Sequence, residues 1–242
     1  MQIFAKTDVG KARSVNQDAF YINTLSDGSA LAIVCDGMGG ANAGDIASKT
    51  AVEIISHYVL NAYNPSMTSD DIARLLDNAI TSANLEVFDL SEKDNSLKGM
   101  GTTVVAGVIK NEHAIICNVG DSRAYLVNDT ITQITRDHSM VQTLVESGKL
   151  SPEQAKVHPE KNIITRALGV EENVLIDTYL VDMSKDDKLL LCTDGLSNYV
   201  DSEVILRIIN ENAFDIITDL LINEANHGGG RDNITAAVVS LG

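Results

Sequence analysis

The sequence contains no apolar run near the roughly eighteen residues that a membrane-spanning helix requires. Its first residues, MQIFAKTDVG, also lack the pattern of a secretory signal peptide. Only three cysteines occur, and an odd number argues against a disulfide framework. We therefore expect a cytoplasmic protein that does not insert into a membrane.

The three cysteines show no spacing typical of a metal site. Cys35, Cys117 and Cys192 each lie inside a short apolar run. A thiol in such a run behaves as a small hydrophobic side chain. We expect all three in the core.

Basic residues are scarce: 18 Lys and Arg stand against 34 Asp and Glu, which gives a formal net charge of -16. A surface with this charge repels a phosphate backbone, so we expect no nucleic-acid partner. An acidic chain can also gather carboxylates around divalent cations, although most charged side chains of a folded protein simply face water.

No proline-rich or serine-rich linker, long block of one charge or internal repeat interrupts the chain. The composition, 44% apolar and 21% charged, is typical of a folded protein with a substantial core. Residues 1–242 are therefore predicted to form a single domain, and we expect a monomer.

Periodicity predicts the secondary structure. Short apolar runs predict strands over residues 30–35, 103–109, 114–119, 123–127, 188–193 and 234–240. Apolar positions at a 3.6-residue period predict helices over residues 44–61, 70–90, 202–211 and 214–226. Strands occur in blocks separated by helix pairs, which favours an α+β fold with antiparallel sheets over a Rossmann arrangement.

Residues 139–170 depart from this order. The segment begins with a short amphipathic helical pattern and breaks at Gly148. A second helix start follows at Ser151, with Pro152 in its first turn and Gln154 at the capping-box position. The pattern is compatible with an excursion from the sheets and with ordinary packed helices.

Four aspartates lie at strand boundaries, each with a glycine adjacent or two residues away: Asp36, Asp121, Asp194 and Asp232. One Asp-Gly pair after a strand is most often a turn, because Asp can hydrogen-bond to its own backbone and Gly accepts positive φ. Four such positions in one chain are harder to explain by turns alone.

Facing sheets would bring these strand ends to one edge, where the carboxylates would repel one another strongly. Divalent cations would neutralise this repulsion. Oxygen ligands without histidine or cysteine at matching spacing suit Mg²⁺ or Mn²⁺ better than a structural zinc. Gly37, which follows Asp36, would allow its carbonyl to turn toward a cation.

Seven motifs follow one another along nearly the whole chain. They are RSVNQD (13–18), DGMGG (36–40), GMGTT (99–103), VGDSRAY (119–125), NIITRALG (162–169), TDGL (193–196) and GGRDNIT (229–235). This combination resembles the bacterial metal-dependent serine/threonine protein phosphatases of type 2C. The resemblance implies a four-layer αββα sandwich, two antiparallel β-sheets flanked by helix pairs, with a helical flap insertion at about 139–170.

The resemblance also implies a centre for two Mn²⁺ or Mg²⁺ ions. Asp36 would bridge the ions, and the Gly37 carbonyl would bind one of them. Asp194 and Asp232 would complete the protein ligands of the other. Asp121 would join Asp194 at a third, weaker site.

Three more positions match residues with supporting roles in the family. Asp18 would hold metal-bound water, and Asn233 would be a supporting amide. Arg13 would bind the phosphate, since a guanidinium can donate two parallel hydrogen bonds to phosphate oxygens. Without the resemblance, Arg13 would be read as a solvated charge. Arg13 and Asp36 are thus the predicted catalytic residues.

The implied reaction is hydrolysis of phosphoserine and phosphothreonine in proteins. Two cations can lower the pKa of a bridging water toward neutrality and shield the phosphate that this water attacks. Met38 departs from the animal members of the family, which have a histidine here that is implicated as a proton donor. Methionine cannot donate a proton, so the proton source for the leaving group stays open.

Other candidate residues receive structural interpretations. Thr102 and Thr103 are expected as strand residues. Arg166 could reach the site or form a salt bridge within the 139–170 segment. The five histidines show no ligand spacing, and we expect them at the surface or in packing.

Two other functions compete with the phosphatase. A catalytically silent, phosphatase-like binding or regulatory module would be expected to have lost a ligand, whereas the acid set is complete. A phosphatase of anti-sigma-factor antagonists usually carries a sensor domain, for which the chain has no room. By resemblance we expect phosphorylated proteins as substrates, a role in bacterial signal transduction and an opposing Ser/Thr kinase.

Overall fold

The computed structural model describes the backbone of residues 1–242 and the side chains of residues 1–39 and 43–242. The strands, numbered in chain order, are β1 Gln2–Asp8, β2 Asp18–Thr24, β3 Ala30–Met38, β4 Gly101–Thr102, β5 Val104–Lys110, β6 His113–Val119, β7 Arg123–Val127, β8 Ile131–Gln133, β9 Asp177–Asp182, β10 Lys188–Cys192 and β11 Ile234–Ser240. The helices are α1 Gly40–Ala62, α2 Ser69–Lys93, α3 Met140–Glu146, α4 Pro152–Lys156, α5 Asp194–Ser197, α6 Ser202–Glu211 and α7 Ile217–His227. Short 3-10 helices cover Asn95–Leu97 and Phe214–Ile216.

The strands form two antiparallel sheets. Sheet I has the strand order β1-β11-β10-β7-β8. Sheet II has the order β2-β3-β5-β6-β9, and the short strand β4 pairs with the end of β3. Antiparallel pairing throughout agrees with the α+β class that the order of elements predicted.

Three apolar clusters define the layers of the molecule. Helices α1 and α2 cover the outer face of sheet II through a cluster that contains Ile33. Helices α6 and α7 cover the outer face of sheet I through a cluster that contains Leu190. The next residue in each strand, Val34 and Leu191, points the other way into a third cluster between the sheets. The predicted four-layer αββα sandwich is therefore confirmed.

The cysteines lie in the outer clusters of this sandwich. Cys35 and Cys117 pack beneath α1 and α2, and Cys192 packs beneath α6 and α7. All three are buried free thiols. The predicted core role of the cysteines is confirmed.

Helix α2 shows how local sequence sets the boundaries of an element. The Thr68 side chain accepts a hydrogen bond from the Asp71 backbone N–H, and the Asp71 side chain accepts one from the Thr68 N–H, which forms a capping box. The buried face of the helix follows the predicted 3.6-residue period. Over the part of the chain that the structure describes, no helix is long and apolar enough to cross a membrane.

The predicted strands are the central strands of the two sheets. The prediction did not include β1, β2, β8 and β9, which are the four edge strands. An edge strand is partly exposed, so apolar and polar residues alternate along it, as the burial pattern of β1 shows. The central strand β11 is buried at all its positions and reads as an apolar run.

The helices predicted within residues 139–170 are present as α3 and α4. Ser139 caps α3 by accepting from the Gln142 N–H. Ser151 and Gln154 form the predicted capping box of α4, with Pro152 at its start. The Ser151 side chain accepts from the Gln154 N–H, and the Gln154 side chain accepts from the Ser151 N–H. These two bonds satisfy N–H groups that a short helix would otherwise leave unpaired.

Gly195 allows the start of α5 to approach the residues that precede β11. A Cβ atom built at Gly195 would lie 1.8 Å from the carbonyl oxygen of Asn233, which is far inside van der Waals contact. Because glycine has no Cβ, the backbone at Asp194 can lie beside that of Asn233. This approach brings Asp194 and Asp232 to the same edge of the sandwich.

Replacement of Gly195 by alanine should therefore destabilise the protein. We expect Gly195→Ala to lower the free energy of unfolding by about 2–3 kcal/mol, because the new methyl group must displace backbone atoms. Gly107→Ala is the matched control, since a Cβ at this buried position in β5 meets no atom closer than 3.6 Å. Urea denaturation measures both changes, and equal midpoints for the two variants would contradict this account of the Gly195 contact.

Candidate functional site

All the predicted site residues except Asp18 line one cavity at an edge of the sandwich. Strands β3 and β6 of sheet II and β10 of sheet I end at this edge, and β11 begins there. The cavity has a volume of about 570 Å³. Its walls include Arg13, Asp36, Gly37, Asp121, Asp194, Asp232 and Asn233. The fold thus brings together residues such as Arg13 and Asp232, which are 219 positions apart in sequence.

Asp36 is held by hydrogen bonds to its backbone at the end of β3. Its N–H donates to Thr103 Oγ1 at 3.0 Å, and its carbonyl accepts from Thr102 Oγ1 at 2.9 Å. Both threonines are buried. Thr102 lies in β4, as the sequence predicted, whereas Thr103 lies between β4 and β5 and lines the cavity. Both residues fix the backbone from which the Asp36 carboxyl group projects.

Gly37 lies where two other backbone segments come close. A Cβ atom at this position would lie 2.0 Å from the carbonyl oxygen of Gly44 and 2.6 Å from that of Gln17. The Gly37 N–H also donates to the Gln17 carbonyl at 3.1 Å. Any side chain at position 37 would push α1 away from the end of β3.

Asp194 and Asp232 come from the two neighbouring strands of sheet I. Asp194 opens α5, and its Oδ2 accepts from the Asn198 side chain at 2.9 Å. Asp232 precedes β11, and its Oδ1 accepts from the Asn233 N–H at 2.9 Å. The two carboxyl groups remain on the wall of the cavity.

Asp18 is buried where the two sheets meet. It lies opposite Asp36 in the β2–β3 ladder. Its Oδ2 accepts from Thr193 Oγ1 at 3.0 Å and from Thr235 Oγ1 at 2.6 Å, so a side chain of sheet II is bonded to residues at the ends of two strands of sheet I. Its Oδ1 is buried and has no hydrogen-bond partner.

The carboxyl groups raise one another's pKa values. Burial raises the pKa of Asp36 well above its ordinary value, and the charges of the neighbouring acids raise it further. Burial is also the largest cause at three other acids, whose pKa values rise to about 7, about 8 and about 6: Asp18, Asp121 and Asp194. A hydrogen bond from Asp36 offsets part of the rise at Asp194.

Arg13 lies at the mouth of the cavity. Its Nη2 donates to Asp232 Oδ2 at 2.9 Å, and about half of its side chain, 51%, is exposed. The hydrogen bond and charge of Asp232 raise the pKa of the guanidinium. Arg13 is therefore a charged group that is accessible to an incoming anion.

Asn233 anchors the loop that carries Arg13. Its side-chain amide donates to the carbonyls of Val9 and Val15 at 2.9 and 3.0 Å. Its side-chain oxygen accepts from the Gln17 N–H at 2.8 Å. These three bonds join the Asn233 side chain to the backbone at both ends of the 9–17 loop. They give a physical basis to the predicted supporting role.

The donor set fits a hard divalent cation in its chemistry. Carboxylate oxygens are the protein ligands that Mg²⁺ and Mn²⁺ favour, and Asp18 Oδ1 is a buried oxygen without a partner. Within residues 1–39 and 43–242, no three His, Cys, Asp or Glu side chains are close enough to hold a metal ion as they stand. The fit therefore lies in the kind of donor atoms and in their shared location.

Several residues of the site were not predicted from the sequence. Asn162 and Ile164, from the 139–170 segment, form part of the cavity wall. His138 is buried, and its Nδ1 accepts from the N–H of Gly120, the residue before Asp121, at 3.0 Å. Asn162 and Ile164 fall inside the NIITRALG motif, but nothing in that motif marks them as wall residues. The DHS sequence at a loop start could have drawn attention to His138.

Arg166 does not line the candidate active site. Its Nη1 donates to Asp177 Oδ1 at 2.8 Å and to the Leu175 carbonyl at 3.2 Å. The predicted alternatives were an approach to the site and a salt bridge within the 139–170 segment. The structure shows instead a salt bridge to the start of β9, beyond that segment.

Comparison with known proteins identifies relatives along the whole chain. The family model described as protein phosphatase 2C matches residues 10–221. The chain is 42% identical to the serine/threonine phosphatase stp of Listeria innocua, over 97% of this chain and 93% of that protein. The crystal structure of the serine/threonine phosphatase Stp1 from Staphylococcus aureus is 34% identical, with a TM-score of 0.93 over 100% of this chain and 95% of that chain.

A further relative contains metal. The crystal structure of the catalytic domain of the serine/threonine phosphatase PstP in complex with two manganese ions is 33% identical to this chain. Its TM-score is 0.87, over 99% of this chain and 97% of that chain. The metal in that structure is a property of PstP, and it agrees with the donor chemistry of the cavity described above.

The chain belongs to the protein phosphatase 2C family. Within that family it is an enzyme of the serine/threonine phosphatase type, as are the relatives that it resembles along its whole length. The family and the enzyme class predicted from the seven motifs are thereby confirmed.

Divalent cations should stabilise this protein more at pH 8 than at pH 5. Three acids have pKa values of about 7, about 8 and about 6 when folded, namely Asp18, Asp121 and Asp194. An unfolded Asp titrates near pH 3.9, roughly. The folded state therefore binds more protons than the unfolded state between about pH 4 and pH 8, and stability without cations falls as pH rises.

Calorimetric Tm values with EDTA and with Mn²⁺ from pH 5 to pH 8 measure this effect. We expect the Mn²⁺-induced rise to be several degrees at pH 8 and near zero at pH 5, roughly 2–4 °C for each kcal/mol. At each pH, the difference between the Tm with Mn²⁺ and the Tm with EDTA cancels the contributions of titrating groups far from the cavity. A Tm that does not respond to Mn²⁺ at pH 8 would contradict the link between this carboxylate cluster and cation binding.

Proposed function

We propose that this phosphatase removes phosphate from phosphoserine and phosphothreonine in proteins with the help of two Mn²⁺ or Mg²⁺ ions held in the carboxylate cavity. The observation that carries the proposal is the meeting of the complete acid set with Arg13 in one open cavity. Negative charge from the acids alone would repel a phosphate, whereas the same acids with cations and a guanidinium would attract it.

The ligands proposed for the two main ions are the acids at the strand ends. Asp36 would contact both ions, and the carbonyl of Gly37 would contact one of them. Asp194 and Asp232 would hold the other. When bound, such a pair of ions lowers the pKa of a water between them and shields the phosphate from the surrounding negative charge.

A third, weaker ion site is proposed at Asp121 with Asp194. The charge of Asp194 is the largest contribution after burial to the raised pKa of Asp121, which supports their proximity. Asp18 would accept hydrogen bonds from water near the main ions through its unpartnered Oδ1. Asn233 would act through the 9–17 loop, because its contacts are with that backbone.

Arg13 is proposed to bind the phosphate. Its guanidinium is exposed at the cavity mouth and has further N–H groups besides the one directed to Asp232. A phosphate group can accept two parallel hydrogen bonds from a guanidinium, which fixes its orientation as well as its position. Met38 also lines the cavity but has no proton to donate, so it is not proposed as the general acid.

The wider role is proposed from the same resemblance. Residues 1–242 would act as a single, monomeric catalytic domain in the cytoplasm, with about 139–170 as a flap beside the active site. Asn162 and Ile164 on the cavity wall support a role of that segment in substrate admission. The substrates would be phosphorylated proteins, in bacterial signalling opposed by a Ser/Thr kinase. No ligand position in the acid set is lost, which disfavours a silent module.

Phosphate release from a phosphothreonine peptide tests reaction type and cation requirement together. We expect no release in EDTA and restored release on addition of Mn²⁺ or Mg²⁺, because the carboxylate cavity cannot accept phosphate without positive charge. Release would be measured with excess Mn²⁺, Mg²⁺ or Ca²⁺ in turn. Full activity in EDTA would refute the proposed cation requirement.

Asp36→Asn is the site variant for this experiment. The change keeps the size of the side chain and removes a ligand charge, so turnover should fall by at least about a thousandfold and calorimetry should show weaker Mn²⁺ binding. Asp182→Asn is the matched control, since Asp182 also ends a strand but its side chain is 88% exposed and pairs with His113. Normal turnover and Mn²⁺ binding in Asp36→Asn would rule out the assignment.

Arg13→Ala should raise KM for a phosphopeptide by about ten- to a hundredfold, because it removes charge-assisted hydrogen bonds to the phosphate. Mn²⁺ affinity should change much less. Arg74→Ala is the control, as Arg74 is an exposed arginine on α2 that pairs with Asp71. Steady-state kinetics and calorimetry separate the two effects, and a KM equal to that of the wild type would exclude phosphate binding by Arg13.

A further inference from the structure

A second cavity lies beside the candidate active site. It has a volume of about 290 Å³ and shares two wall residues, Met38 and Ile164, with the larger cavity. We call it the Met38 cavity. Its remaining apolar wall residues are Ala167, Val170, Val174 and Leu175.

Two of these apolar side chains are largely exposed. Leu175 is 75% exposed and Val170 is 49% exposed. Single exposed apolar residues are common on soluble proteins and need no explanation. Here two exposed apolar residues and four other apolar residues line one cavity next to the candidate active site. This arrangement suits the cavity to an apolar ligand.

Met38 forms the wall between the two cavities. It pairs with Gly101 across β3 and β4. A Cβ atom at Gly101 would lie 3.0 Å from Met38 Cε and 3.1 Å from Val170 Cγ2, so these two side chains meet over the glycine. Methionine is flexible and apolar, and it adapts well to ligands of varied shape. Met38, which has no proton to donate, thus supplies an apolar surface to both cavities.

The walls of the Met38 cavity are fixed to the body of the protein. Leu168 and Thr102 exchange two backbone hydrogen bonds, of 3.1 and 2.8 Å. The buried side chain of Asn84 on α2 accepts from the Gly169 N–H at 2.9 Å. The same side chain donates to the carbonyls of Glu171 and Glu172 at 3.0 and 2.9 Å. A cavity with walls held in this way is largely preformed for binding.

Two charged residues, Arg166 and Glu171, line the Met38 cavity beside the polar Thr165 and Asn173. Arg166 lines it, but its guanidinium is paired with Asp177 and bonded to the Leu175 carbonyl. It therefore holds the backbone of a wall residue in place. An arginine paired in this way attracts an acidic group less than a free one does, and Glu171 repels such a group, so the cavity disfavours an acidic occupant.

We propose that the Met38 cavity binds one apolar side chain of the phosphoprotein substrate, two or three residues from the phosphorylated serine or threonine. This inference rests on the proposed function, because it takes the phosphate to lie in the larger cavity. Two residues of an extended chain span about 7 Å, so such a substrate can cross from one cavity to its neighbour over the shared wall. The small volume fits a side chain rather than a separate ligand.

A set of phosphothreonine peptides tests this proposal. The peptides carry either leucine or serine at each position in turn, from four residues before to four residues after the phosphothreonine. Peptide charge is kept constant. At one position two or three residues away, leucine should lower KM about five- to tenfold relative to serine, because its side chain becomes buried. The value of kcat should change less than about twofold, since this contact is made in the ground state as well.

Leu175→Ser and Val170→Ser should reduce this discrimination between leucine and serine peptides to about twofold or less, because each removes an apolar wall of the cavity. Both side chains are exposed, so folding should be retained, as thermal melts would verify. Leu180→Ser is the matched control: Leu180 is 61% exposed on β9 and lines neither cavity. It should keep the wild-type discrimination.

The outcomes separate this inference from the proposed function. Wild-type turnover of phosphopeptides and of p-nitrophenyl phosphate with Mn²⁺, but without a preference at any peptide position, would overturn the inference and leave the function intact. A preference that persists in Leu175→Ser and Val170→Ser, or that is lost equally in Leu180→Ser, would also overturn it. Failure to hydrolyse either substrate would overturn both.

Discussion

Repulsion among buried carboxyl groups at one edge of the sandwich is the constraint on which the rest of the structure depends. Burial and neighbouring charge raise the pKa of Asp36, Asp121 and Asp194, so this edge opposes the charged form of its own side chains. The apolar clusters on both sides of each sheet supply the stability that holds the edge together. Positive charge, from cations or from a guanidinium, would reduce the repulsion among these carboxyl groups.

The site depends on the packing of the two sheets, since neither sheet contains it alone. Asp18 joins them through the hydrogen bonds that it accepts from Thr193 and Thr235. Asn233 then ties the Arg13 loop to the residues before β11. The polar groups of the site therefore sit on strand ends and on a short tethered loop, where their geometry is well defined. Five of the six apolar walls of the neighbouring cavity come from residues 164–175, and the sixth, Met38, belongs to β3 and also lines the candidate active site.

The fold was predictable from the sequence where burial is uniform. The six central strands are buried on both faces and read as continuous apolar runs, and the long helices show a single apolar stripe. The edge strands were missed because half of each faces solvent, which weakens the apolar signal in strands such as β1 and β9. The αββα class did not require them, since antiparallel pairing of the central strands already defines the two sheets.

The sequence by itself determined the family and the enzyme class through the combination of seven motifs, four of which place an aspartate and a nearby glycine at a strand boundary. Only the tertiary structure decided which groups touch. The pairing of Arg13 with Asp232, the contact of His138 with Gly120 and the wall shared by the two cavities join residues far apart in the chain. Such contacts depend on how sheets and loops pack. A local pattern of residues does not specify how close two segments lie in space when they are far apart in the sequence.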